Sequence, residues 1–130
     1  MEELSLIIKK MKNKGDRDSV IEFLQAVMKL IPPSDDFGIS IAKKGPHEYV
    51  LDRRGLAIIS LSEDEYLPIF SASEKRIDIN ALPDDVIKSV KNNWKSILDQ
   101  LRDYALEYSK IDKKYLKVVD EITDAIFKNL

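Results

Sequence analysis

The sequence predicts an α+β fold: two N-terminal helices, a four- to five-stranded antiparallel β-meander, and a C-terminal pair of long helices packed on the sheet. Three observations carry this. Apolar residues recur at helical spacing between Leu4 and Ile31, the period switches to two from Phe37, and alternating steps of three and four return from Ile87 to Ile111. A chain of 130 residues is large enough for one core, so a single domain is expected over 1–130. It divides into a helical pair (1–33), a sheet (37–80) and a helical hairpin (83–130).

Leu4, Ile7, Ile8 and Met11 make the first amphipathic stripe, and Asn13-Lys14-Gly15-Asp16 ends it, with Gly15 as the stop. Ser19 followed by Glu22 has the form of a capping box for the second helix, whose face is Val20, Phe23, Leu24, Val27, Met28 and Ile31. Pro32-Pro33 terminates it, because proline has no N–H to donate and disfavours helix in the residue before it. Phe37, Ile39 and Ile41 then alternate with small residues as a strand. Gly45-Pro46 turns the chain into a second strand, His47–Asp52. Arg53-Arg54-Gly55 is a turn with Gly55 at positive φ, and Leu56–Leu61 is the most apolar strand. Glu63-Asp64-Glu65 makes an acidic turn, a fourth strand spans Tyr66–Ser71 with Pro68 marking an edge, and Arg76–Ile79 adds a short fifth.

Pro83-Asp84-Asp85 opens the longest helical pattern, with proline at the first position and two carboxylates at the positive end of the dipole. Ile87, Val90, Trp94, Ile97, Leu101, Tyr104, Tyr108 and Ile111 form a heptad seam, and the spacing predicts one helix over 83–109 of roughly 40 Å at ~1.5 Å per residue. Asp112 is placed to cap a last helix with Tyr115, Leu116, Val119, Ile122, Ala125, Ile126 and Leu130 on one face.

Composition narrows the function. There is no Cys and a single His47, which removes disulfides, thiol catalysis and any site needing two imidazoles. No apolar run approaches a membrane span, and the start MEELSLIIKKMK is unlike a signal peptide, so a cytoplasmic protein without membrane contact is expected. Net charge is −2, against the strongly basic balance of a dedicated nucleic-acid binder. Richness in Lys, Ile and Asp with few Gly is compatible with a thermophilic source.

No catalytic motif stands out. Asp35-Asp36 and Glu63-Asp64-Glu65 offer carboxylates to a hard cation, but neither has a cation-loop spacing and acidic turns are ordinary solvated turns. His47 beside Glu48 has no nucleophile to activate. The expectation is therefore a non-enzymatic protein with no catalytic residue, no metal and no cofactor. The seam has two readings: within one chain the 83–109 helix pairs with the 113–129 helix, and between chains Val90, Trp94, Ile97, Leu101, Tyr104 and Tyr108 are the candidate protein interface, because a helix of that length outreaches a small sheet; a homodimer or other protein partner is the expected partnership. The alternative is a nucleic-acid-associated protein using Lys43, Lys44, Arg53 and Arg54 in successive hairpin turns and the helical face Lys88, Lys91, Lys95.

Overall fold

The computed structural model describes residues 2–34, 36–63 and 70–130. Its elements in chain order are α1 (Glu2–Lys14), α2 (Arg17–Leu30), β1 (Ile39–Lys44), β2 (His47–Asp52), β3 (Gly55–Glu63), β4 (Phe70–Ile77), a 3-10 turn (Ile79–Ala81), α3 (Asp84–Asn92), α4 (Trp94–Tyr108) and α5 (Tyr115–Lys128). This is the α+β order read from the sequence. The four strands form one antiparallel sheet in the order β1-β2-β3-β4.

α2 is the centre of the core. Val20, Phe23, Leu24 and Val27 are fully buried on it, and it packs against α1, α3, α4 and β2. Its cap is Asp16 rather than Ser19: the Ser19 N–H donates to Asp16 Oδ1 at 3.0 Å, and the Ser19 hydroxyl returns to the Asp16 carbonyl at 2.9 Å. Bonding to Ser19 favours ionised Asp16, whose carboxyl titrates below its ordinary value. Gly15 ends α1 at φ +63°, with its N–H on the Met11 carbonyl, as the stop at that position requires.

Helical cover falls on one side of the sheet. α3 and α4 lie against β1, and α2 against β2. The cross-strand row Ala42–Tyr49–Ile58–Lys75 shows the gradient: the first two are buried, Ile58 is half-buried and Lys75 is exposed. A bulge between Ser40 and Ala42 lets the adjacent Ile41 and Ala42 both bury. β3 and β4 run past the end of β2, whose last pair is His47↔Ser60, through three further pairs to Glu63↔Phe70.

Three expectations change. The single helix over 83–109 is two helices, because Asn93 takes φ −112°, ψ 19° and its N–H is shared between the Ser89 and Val90 carbonyls. β4 runs unbroken through Ser73-Glu74-Lys75 and absorbs half of the expected fifth strand, after which Asp78 caps the 3-10 turn. The apolar residues of α5 occupy two faces rather than one. Asp35, Asp64, Glu65 and the start of the expected fourth strand, with Pro68, lie outside the described residues. Among the described residues no helix is long and apolar enough to cross a membrane.

Candidate functional site

Most of the heptad seam is internal. Val90, Ile97 and Leu101 are at most 1% exposed within this one chain, so their surface is already covered and is closed to a partner. Trp94 is half-buried at the start of α4, with Lys12 Nζ 5.2 Å from its ring centroid. Tyr104 and Tyr108 join an aromatic cluster. Phe37 stacks on Tyr104 at 4.7 Å and meets Tyr108 edge-on at 6.2 Å, while Tyr108 meets Tyr115 at 4.9 Å across the hairpin. The Tyr104 hydroxyl donates to the Gly38 carbonyl at 2.8 Å. Burial raises the Tyr115 phenol above its ordinary value, with Tyr108 and Asp112 adding to the shift. This cluster fastens β1 and its lead-in to the helices.

The unsatisfied apolar surface lies on the other side of the same helices. Of the six large hydrophobic side chains exposed among the described residues, five are on α4, α5 and the segments flanking α5: Leu106, Ile111, Leu116, Phe127 and Leu130. On α5 the inward face is Ile122, Ala125 and Ile126, while Leu116, Val119, Thr123 and Phe127 succeed one another at steps of 3, 4 and 4 along the outward face, and the exposed Leu130 follows beyond the end of the helix. Thr123 is the polar member of this stripe, and its hydroxyl already donates to the Val119 carbonyl at 2.8 Å. Burying the stripe would therefore leave no side-chain donor unpaired on it. The hairpin holds its shape through the Asp112 turn, whose carboxylate accepts from the Lys114 N–H at 3.0 Å.

The basic candidates do not converge. Lys43 and Lys44 end β1, whereas Arg53 and Arg54 sit in the β2–β3 turn at the opposite end of the sheet. Lys44 is held by Asp85 at 2.8 Å, which raises the lysine and lowers the carboxyl from their ordinary values. Lys88 and Lys95 are exposed on α3 and α4, and Lys91 lies half-buried beside Gly15. His47 is exposed at the start of β2, its Nδ1 2.5 Å from the Ser60 hydroxyl. Comparison with protein-family models, with curated proteins and with solved structures gave no match.

Sequence reading misses two features. The outward stripe of α5 is signalled by an excess: a face holding Leu116 and Leu130 together with Ile122 and Ile126 is wider than one buried stripe accommodates. Gln100 carries no such signal, although it donates to the Ser40 carbonyl at 2.9 Å and accepts from the Ser40 N–H at 3.0 Å.

Proposed function

We propose that this chain is a non-enzymatic interaction protein that assembles with a second copy of itself through the outward face of its C-terminal helices, in a cytoplasmic setting. The observation that carries the reading is the concentration of exposed apolar side chains on α4, α5 and the segments flanking α5, with Leu116 and Phe127 on one face of α5 and Leu130 just past its end. Singly exposed hydrophobic residues are ordinary, but several along one helix face are the pattern of an interaction site.

A second copy suits this stripe because the stripe is its own complement. Leu116 and Leu130 lie seven residues either side of Thr123, and Val119 and Phe127 lie four either side. Two α5 helices packed antiparallel about Thr123 bring the smaller Val119 against the larger Phe127, and Leu116 to the end of the other copy's α5, where Leu130 follows. That is the isologous contact a two-fold axis requires.

Light scattering across a size-exclusion peak, with absorbance at 260 and 280 nm, tests this. The expected mass is two chains for the wild type and one chain for the double variant Leu116→Asp, Phe127→Asp, with the helical circular dichroism unchanged. A wild-type monomer at all concentrations up to tens of micromolar overturns the reading, and so does a double variant that stays dimeric. Excess 260 nm absorbance on a single-chain peak would instead favour the basic residues and nucleic acid.

A further inference from the structure

The end of the sheet that carries the β2–β3 turn holds a cleft of about 500 Å³, within the size range of small-molecule sites. It opens where that turn, the end of β4 and the end of α2 meet. Met28, Leu56, Ile77 and Ile79 line it, and Arg54 and Arg76 stand on it as its cationic groups. Leu56 is 1% exposed, while Met28, Ile77 and Ile79 are half-buried. The apolar part thus has a closed floor and incompletely covered walls.

The two arginines are organised by one carboxylate. Asp52, which is itself buried, receives Arg76 Nη1 at 2.9 Å and Arg76 Nη2 at 2.6 Å, a two-point contact that fixes the plane of that guanidinium. The Arg54 N–H donates to Asp52 Oδ1 at 2.8 Å, so the same group sets the backbone of the turn from which Arg54 projects. The Arg54 side chain makes no ion pair with a described residue. Asp78 also lines the cleft, and its carboxylate already accepts from the Asn80 N–H at 2.8 Å and the Asn80 side chain at 3.1 Å. Glu74 pairs with Arg76 as well, at 2.9 Å, so Arg76 is matched by two carboxylates and Arg54 is the cation of the cleft left without an ion pair to a described residue.

We propose that this cleft binds a small amphiphilic monocarboxylate, its head group on Arg54 beside the fixed guanidinium of Arg76 and its apolar body over Ile77, Ile79 and Met28. With Arg76 already matched by Asp52 and Glu74, the one guanidinium left to pair is that of Arg54, and its planar fork matches a single carboxylate. The apolar lining supplies the affinity that one exposed ion pair does not.

The probe is sodium decanoate, titrated below its micellar concentration into the uniformly 15N-labelled full chain. Saturable amide shifts are expected at Gly55, Ile77 and Ile79. The wild type should prefer decanoate over uncharged decanol by about tenfold or more. Arg54→Glu should remove decanoate binding, and Arg54→Lys should keep part of it. Absence of saturable shifts at millimolar decanoate overturns the proposal. Equal binding of decanol overturns it, as does an Arg54→Glu titration matching wild type. Shifts confined to α5 overturn it too, because they would assign the ligand to the outward helical stripe.

Discussion

The two edges of the sheet solve one problem in opposite ways. An edge strand presents unpaired N–H and C=O groups, which invite another strand unless they are covered or defended. At β1 the edge is covered. Gln100 of α4 pairs both backbone groups of Ser40, taking the place of a neighbouring strand, and the Tyr104 hydroxyl takes the Gly38 carbonyl. At β4 the described residues place no further strand beyond it, and the consecutive exposed residues Glu74, Lys75 and Arg76 carry the defence. Glu74 opposite Glu74, or Lys75 opposite Lys75, is what a second copy would meet on pairing there in either of those two-fold registers, and like charges directly opposite are unfavourable. One edge is capped by a helical side chain at Ser40, the other is guarded by charge, and the exposed apolar side chains sit on or beside the helices.

The largest expected effect tests whether cover really ends partway across the sheet. Leu51→Ala, at a fully buried position of β2, should cost about 2–5 kcal/mol in urea unfolding, whereas Lys75→Ala on β4 should stay within about 0.5 kcal/mol. Comparable costs at the two sites would erase the asymmetry. Gln100→Ala comes next. It leaves two backbone groups of Ser40 without their partner, so a loss of about 1–3 kcal/mol is expected, together with faster hydrogen exchange at the Ser40 amide. Unchanged exchange would show that solvent replaces the amide without penalty.

The smallest effect is electrostatic and belongs to the β4 side. The Arg76 guanidinium bonded to Asp52 holds that carboxyl below its ordinary value of 3.8, against the opposing effect of burial. A lowered folded-state pKa means the ionised form favours the native state. Its contribution is complete above the unfolded value and is lost as the pH falls below about 3.8 through the lower folded value. Arg76 is 36% exposed, so solvent screening keeps the contribution under about 1 kcal/mol. Asp52→Asn should therefore be less stable than wild type at pH 7 and lose less stability on acidification. Parallel acid-unfolding curves for the two proteins would remove Asp52 from the account.

Element types are legible because periodicity reports burial directly. The spacing in α1 and α2 and the alternation at Phe37–Ile41 each reflect one buried side per element. The break at Asn93 is not legible in the apolar pattern, since no Pro or Gly marks it and the heptad steps continue across Trp94; it goes with a local bond, the Asn93 side chain donating to the Ser89 carbonyl at 2.9 Å. The bounds of β4 are hidden because its charged residues imitate a turn, although on an edge strand charge is a defence. The seam is visible as apolar but not as internal, since spacing shows that a helix face is covered without showing what covers it. The Arg54 turn is visible as basic, yet the cleft beside it is built from residues as far apart in sequence as Met28 and Ile79.

One set of bonds reaches across nearly the whole chain. The Asn129 side chain donates to the Ser5 hydroxyl at 3.1 Å and to the Ser5 carbonyl at 3.2 Å, and Lys12 donates to the Asn129 carbonyl. α1 consequently waits for α5: its native neighbour is synthesised about a hundred residues later. Until then the α1–α2 pair must persist with one side open, or fold only after the ribosome has delivered α5. Closing so long a loop costs chain entropy before any contact repays it, so joining α1 to α5 is the step expected to set the pace of folding.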